Sequence, residues 1–223
     1  MATLTLRPVS DSSLGHSCSS GSSGYSMLAE ASADDDSTYI YQQISSTSST
    51  SASSAFKVSG STSKKVKISS LQVYVRARCS KANSNDAGSM TYNISVNGTS
   101  GSQGSATLTT SYADSNKTFS ASSLGIADTV FDSFSAAEIV VTVGTSGNKY
   151  SSKNDNFQNR VTQVYVVATY EEVEDASHTG FYVKIGGSYQ EVKTVYKKVG
   201  GVYIAQTDIS SAFDTGAKYV LGT

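Results

Sequence analysis

The segment Leu71-Gln72-Val73-Tyr74-Val75-Arg76-Ala77-Arg78 alternates apolar and polar side chains with a period of two residues. Successive side chains of a β-strand point to opposite faces. The pattern therefore predicts a half-buried strand with four residues on its inner face, namely Leu71, Val73, Val75 and Ala77. Residues 161–170 follow a similar pattern, and residues 92–96 lead into Asn97-Gly98, a dipeptide that favours a tight hairpin turn.

Strand-like segments recur along the first three quarters of the chain, separated by clusters of Ser, Thr, Gly and Asn. They cover residues 3–6, 38–44, 55–58, 66–79, 90–96, 106–110, 117–120, 138–143 and 161–171. Helical periodicity is almost absent, and the best helical candidate is one short turn within residues 122–128. Many strands without intervening helices predict an all-β protein, with an antiparallel, jelly-roll-like β-sandwich over residues 1–173.

A short unit occurs twice near the C-terminus, with matching positions fourteen residues apart, as Tyr182 and Tyr196 show. Each copy places a Gly-Gly pair between β-prone arms, which predicts a two-residue hairpin turn. The acidic run at 171–175 indicates that residues 174–180 form a linker, because clustered like charges resist packing. Residues 181–223 are then a small β-hairpin repeat domain.

Four tyrosines flank the repeated turns and are the candidate binding residues of this domain: Tyr182, Tyr189, Tyr196 and Tyr203. Two interpretations stay open. Aromatic pairing across the strands would stabilise an isolated ribbon, and the same side chains could equally present an adhesive surface.

The composition argues against several classes of partner. With 223 residues, a formal net charge of -1 and 16% charged residues, the chain lacks the basic character of a nucleic-acid binder. It has no apolar run long enough for membrane insertion and no N-terminal secretory signal, so we expect an unexported protein. Cys18 and Cys79 are then expected to remain reduced, partly buried thiols.

The densest acidic group is Asp34-Asp35-Asp36, preceded by Glu30. Oxygen ligands close together are what calcium requires, and Glu30, Asp34 and Asp36 are the candidate ligands of a structural calcium ion. The alternative is a solvated turn, since charge runs usually lie at the surface. No other cofactor is expected.

No residues stand out as catalytic. His16 and His178 lie in Ser/Gly-rich segments and are expected to be exposed loop residues, and no serine has the context of a nucleophile elbow. We therefore expect a protein that is not an enzyme. Five further tyrosines lie in predicted strands, where packing is favoured over sugar stacking: Tyr39, Tyr41, Tyr74, Tyr165 and Tyr170.

Two ends of the chain carry a resemblance. The opening Leu6-Arg7-Pro8-Val9-Ser10-Asp11, with Ser20-Gly21-Ser22-Ser23-Gly24-Tyr25 and the segment from Glu30 through Asp34-Asp35-Asp36 to Ile40, resembles the start of β-sandwich proteins encoded among the virion genes of tailed phages and prophages. The C-terminal Tyr196-Lys197-Lys198-Val199-Gly200-Gly201-Val202-Tyr203 is similar to short modules that end phage structural and tail proteins. The middle of the chain matches in architecture only.

The resemblance implies a non-enzymatic virion structural protein of the capsid-decoration, head-fibre or tail-associated type. One domain would dock on phage capsid or tail proteins and the other would face outward. The family-level expectation is a homo-oligomer, with a trimer favoured, located in the virion. The alternative function is a glycan- or receptor-binding adhesin that attaches the particle to host surface glycans.

Overall fold

The computed structural model describes residues 1–81, 85–153 and 155–173 in full. After Val173 it describes the backbone of 181–185, 188–192, 194–199, 201–206 and 219–222, with the side chains of Tyr196 and residues 201–204. The chain divides into two compact units, Met1–Val173 and Glu174–Thr223. The proposed linker at 174–180 lies outside the described residues.

The first unit is all-β, with two single-turn 3-10 helices at Tyr25–Met27 and Ser122–Leu124. Its strands are β1 (Ala2–Leu14), β2 (Ser17–Cys18), β3 (Ile40–Ile44), β4 (Thr50–Ser59), β5 (Lys65–Cys79), β6 (Ala87–Val96), β7 (Thr99–Ser100), β8 (Gly104–Thr107), β9 (Ala113–Ser120), β10 (Val130–Phe131), β11 (Ile139–Asn148) and β12 (Phe157–Val173). Each of the nine predicted strand segments overlaps one of these strands.

The strands form an antiparallel, jelly-roll-like β-sandwich, as the sequence predicts. The first sheet runs β10, β5, β12 and the N-terminal half of β1, with β9 on β5, and β3 on β12. The second sheet runs from the C-terminal half of β1 through β4, β11 and β6 to β7, with β8 also on β6.

Strand β1 belongs to both sheets. Residues 2–6 pair with β12 and residues 7–14 pair with β4, with register shifts after Pro8 and after Asp11. Such bulges bend a strand and increase its twist, which lets one strand turn the corner of a sandwich.

The core lies between the two sheets and follows the alternation of the sequence. Leu71, Val73, Val75 and Ala77 of β5 are buried, as predicted, and they join one apolar cluster with the inner faces of β6, β11 and β12. The turn after β6 also follows the prediction, because Asn97 and Gly98 both have positive φ (48° and 82°), as a type I′ hairpin turn requires.

The second unit is built of hairpins. Strand β13 (Phe181–Ile185) pairs with β14 (Ser188–Val192), and β15 (Thr194–Val199) pairs with both β16 (Val202–Gln206) and β17 (Tyr219–Gly222). Ile185 lies opposite Ser188 and Val199 lies opposite Val202, which is the register expected on either side of a two-residue connection. Gly186, Gly187 and Gly200 of the predicted turns lie outside the described residues. Gly201 has φ of 88°.

Candidate functional site

The acidic segment folds as a strap, residues 30–38, against the solvent face of the first sheet. Asp35 accepts two hydrogen bonds from Arg76 of β5, from Nε at 2.7 Å and from the terminal nitrogen at 3.0 Å. Asp36 accepts hydrogen bonds from Arg78 at 2.7 Å and from Arg160 of β12 at 2.6 Å. The two aspartates therefore tie the strap to the two central strands of the sheet.

Tyr112 completes this cluster by donating a hydrogen bond to Asp36 at 3.0 Å. Desolvation raises the pKa of Asp36, but the hydrogen bonds from Tyr112 and Arg160 and the charges of Arg78 and Arg160 outweigh it and leave the pKa below its usual value. Burial, with the hydrogen bond to Asp36, raises the pKa of Tyr112 to about 12. The group holds its charges over the whole physiological pH range.

The three candidate calcium ligands divide between two places. Glu30 and Asp34 both approach the hydroxyl of Thr38, at 2.6 and 3.0 Å, whereas Asp36 is held by the two arginines. Among the residues that the structure describes, no three His, Cys, Asp or Glu side chains form a group that could hold a metal ion. A calcium ion bound by Glu30, Asp34 and Asp36 stays a prediction, and binding it would require Asp36 to leave its arginines.

The strand tyrosines pack, in agreement with the favoured interpretation. Tyr74 and Tyr165 stack nearly parallel across β5 and β12, with ring centroids 4.7 Å apart, and the Arg7 guanidinium lies 5.6 Å from the Tyr165 centroid. Tyr39 lies edge-on to Tyr41, with Arg160 over its ring at 4.5 Å. Tyr170 is buried against Phe134.

The structure gives the backbone register of the four candidate tyrosines in the second unit. Tyr189 lies opposite Lys184 and Tyr203 opposite Lys198, at equivalent places in the two hairpins. Tyr182 faces Glu191, and Tyr196 faces Ala205 and Val220. Both interpretations of these tyrosines, pairing across the ribbon and an adhesive surface, therefore stay predictions. The side chains of Tyr182 and Tyr189 lie outside the described residues, and a binding role for all four tyrosines stays a prediction.

His16 was expected to be exposed, and this prediction is wrong: it is only 5% exposed. Its Nδ1 lies 2.8 Å from the Ser54 hydroxyl of β4, and its Nε2 lies 2.9 Å from the Thr145 hydroxyl of β11. Burial lowers the pKa of His16 to about 4. Both ring nitrogens thus face hydroxyl groups that satisfy a neutral imidazole, and His178 lies outside the described residues.

A groove lies on the solvent face of the second sheet. It encloses about 400 Å³ above β4, β11 and β6, with Gln103 at its rim. Its polar lining is neutral and consists of hydroxyl and amide side chains, those of Ser51, Ser53, Thr91, Asn93, Gln103, Thr142 and Ser146, whereas the Thr145 hydroxyl is buried against His16. We call this concavity the hydroxyl groove.

The hydroxyl groove continues toward the far end of β11. A second depression of about 280 Å³ shares Ser146 with it and is also lined by Ser49, Ser89, Thr107 and Asn148. From Thr142 to Asn148 the floor follows β11 over roughly 20 Å, at about 3.3 Å per residue. The surface is long enough for an extended ligand.

Glycine and tyrosine positions determine the depth of the hydroxyl groove. A Cβ atom at Gly144, in the middle of the floor, would lie 2.8 Å from the Thr91 hydroxyl oxygen. Any side chain at this position would therefore crowd the groove. Tyr92 reaches the lining but is only 2% exposed, since its ring lies beneath Gly104 and its hydroxyl is hydrogen-bonded to Ser115 at 2.9 Å.

No protein-family model matches this chain, and no curated protein matches it. Among solved structures, a CBM4 domain matches with 15% identity and a TM-score of 0.36, over 64% of this chain and 90% of that one. A CBM35 domain from Cellvibrio japonicus Abf62 matches with 8% identity and a TM-score of 0.30, over 78% of this chain and 99% of that one.

A chain of infectious bursal disease virus, Gt strain, matches with 11% identity and a TM-score of 0.26, over 77% of this chain and 60% of that one. All three TM-scores lie below 0.5, so any ligand of the hydroxyl groove has to be inferred from the groove itself. Within the described residues, no helix is long and apolar enough to cross a membrane.

The sequence did not indicate the hydroxyl groove. Its lining comes from three strands that are far apart in the chain, and the start of β4, Thr50-Ser51-Ala52-Ser53, has the composition of a polar connection. The only signal was the alternation of Thr142, Gly144 and Ser146 with buried residues of β11, which predicts a solvent face of small polar side chains.

Proposed function

We propose that this chain is a non-enzymatic structural protein of a tailed-phage particle, displayed on the capsid or tail as a decoration or fibre-like component. One of its two units would dock on the particle and the other would face outward. The proposal rests on the phage resemblance at the two ends of the sequence. The structure brings the three N-terminal segments of that resemblance into contact.

The three N-terminal segments that carry the resemblance are clamped together in the fold. The Asp11 carboxylate accepts hydrogen bonds from the backbone amides of Gly24 at 2.9 Å and Tyr25 at 2.7 Å. Arg7 donates to the carbonyl oxygens of Glu30 and Ala31. These contacts connect the three segments within the sandwich, and the proposal itself rests on the resemblance of those segments to phage virion proteins.

Labelling of intact particles tests this proposal. Antibodies against residues 176–223 should decorate heads or tails in a regular array in negative-stain images, and the chain should co-purify with particles through a density gradient. A chain that stays free in the lysate would refute the proposal. Light scattering of the purified chain would test whether it forms the trimer expected of this family.

A second function, attachment of the particle to host surface glycans, is favoured by the hydroxyl groove. Hydroxyl and amide groups both donate and accept hydrogen bonds, as the hydroxyl groups of sugars do. Soluble host polysaccharide should then compete with host cells for the purified chain. If the chain binds cells equally well with and without the polysaccharide, this second function is wrong.

A further inference from the structure

We infer that the hydroxyl groove is the binding site for an uncharged, extended oligosaccharide, which it recognises by hydrogen bonds without aromatic stacking. This inference deepens the attachment function proposed above. It is independent of where the chain is located on a particle.

Most polar side chains of the groove have no hydrogen-bond partner among the described protein atoms. Within the described part of the chain, six lining side chains make no hydrogen bond to another protein atom, those of Ser51, Ser53, Thr91, Asn93, Gln103 and Thr142. Elsewhere the serines and threonines of the sandwich are often bonded, as Ser54 is to His16 and Thr38 is to Glu30. Donors and acceptors that converge on a concavity without protein partners are available to a ligand.

The charge of the lining limits the ligand class. Among the residues that the structure describes, no Lys, Arg, Asp or Glu lines the hydroxyl groove or its continuation. A nucleic acid or a sulfated or sialylated glycan would need cations to balance its charge, and the lining offers none. Arg76, Arg78 and Arg160 lie instead on the first sheet, where carboxylates engage them.

The position of the groove argues against a peptide. A peptide that adds a strand needs a free sheet edge. The floor is β11, which pairs with β4 on one side and with β6 on the other, so its backbone groups are used in the two ladders. A peptide backbone would find only side-chain partners, whereas each sugar hydroxyl can exchange hydrogen bonds with them.

Among the described residues, the hydroxyl groove presents no exposed aromatic ring to a ligand, and this predicts weak binding. Tyr92, the only aromatic residue of the lining, is covered by Gly104 and bonded to Ser115. Hydrogen bonds exchanged with water contribute only about 1 kcal/mol each, so each copy should bind weakly. Display of many copies would compensate through avidity.

Nuclear magnetic resonance of the isotope-labelled full chain tests the inference. The probes are neutral oligosaccharides of glucose, galactose, xylose, mannose and N-acetylglucosamine, with sialyllactose as the anionic comparison. At least one neutral probe should shift the amide signals of residues 91–93 and 142–146. Thr142→Val, which replaces a hydroxyl by a methyl group of similar size, should weaken binding about fivefold, since a lost hydrogen bond costs about 1 kcal/mol and about 1.4 kcal/mol is a factor of ten.

Thr118→Val is the matched control, because Thr118 is an exposed residue of β9 in the first sheet. It should bind as the unmodified chain does. Gly144→Val should abolish binding, because the valine side chain would fill the floor of the groove. If Gly144→Val does not fold, Thr142→Val still tests the inference. The inference is overturned if no neutral probe shifts these signals, if sialyllactose is preferred, or if both threonine variants bind alike. None of these outcomes bears on particle labelling, so failure here is distinct from failure of the structural role.

Discussion

At the scale of single residues, the least predictable feature is the buried His16. Its position depends on two hydroxyls from strands that are remote in sequence, Ser54 and Thr145, and nothing local to a Ser/Gly-rich segment indicates it. The hydrogen bonds of Thr145 and Ser54 define which ring nitrogen of His16 carries the proton. Thr145 donates to Gln42 at 2.9 Å, so it accepts from Nε2–H, while Ser54 accepts from the amides of Gly15 and His16 and donates to Nδ1.

This arrangement predicts acid sensitivity of the sandwich. The pKa of His16 falls from 6.5 to about 4 on folding because of its burial, so below pH 6.5 the unfolded chain takes up a proton that the folded chain refuses. Stability should be unaffected by this group above pH 6.5 and decrease as the pH falls toward 4. The expected total loss is about 3 kcal/mol.

Urea unfolding of the unmodified chain and of His16→Gln, at several pH values between 7 and 4, measures this loss. The variant should be less stable at pH 7 but should lack the part of the pH dependence that belongs to His16. Parallel pH profiles for the two proteins would show that other groups cause the acid sensitivity.

The predicted calcium ion is tested at the same scale. If Glu30, Asp34 and Asp36 bind calcium, the ion should raise the melting temperature above that in a chelator, since a ligand bound only by the folded state stabilises it. Asp34→Asn should remove the rise. Equal melting temperatures in calcium and in chelator would contradict the predicted ion.

At the scale of the element, strand identity was predictable and strand partnership was not. The period-two pattern of residues 71–78 is local, so it reveals both the strand and its buried face. β1 pairs with β12 and then with β4 through contacts between residues that are distant in the sequence. The local sequence of β1 therefore does not indicate its partner strands. The acidic strap is similar: its charges were evident from the sequence, but the arginines that hold it lie on β5 and β12.

The strap should contribute measurably to stability. Arg78 and Arg160 are only 22% and 19% exposed and share the Asp36 carboxylate. We expect Asp36→Ala to destabilise the sandwich by about 1–2 kcal/mol, because it leaves two neighbouring, largely buried guanidinium groups without their anion. Chemical denaturation measures the difference.

Asp128→Ala is the control for the strap, since Asp128 is fully exposed and contacts only Lys67, at 3.5 Å. Its free energy of unfolding should match that of the unmodified chain. Equal effects of the two substitutions would mean that the strap is an unimportant surface feature.

At the scale of the whole molecule, the sandwich should fold without the residues that follow it. Unit Met1–Val173 contains the apolar core cluster and both sheets. A chain ending at Val173 should therefore unfold cooperatively with the melting temperature of the full chain, whereas residues 174–223 alone are too few to bury a stabilising core. Calorimetry of both fragments tests the predicted domain boundary, and a non-cooperative sandwich fragment would contradict it.

The membership of β1 in both sheets also has a consequence for biosynthesis. Residues 2–6 are translated first, yet their partner strand β12 is the last of the sandwich to leave the ribosome. The nascent chain must therefore keep residues 2–6 unpaired until nearly the whole unit has been made, although residues 7–14 can pair with β4 earlier. We expect slow folding, as is typical of β-proteins dominated by distant pairings, and a dependence on chaperones during translation that ends once β12 emerges.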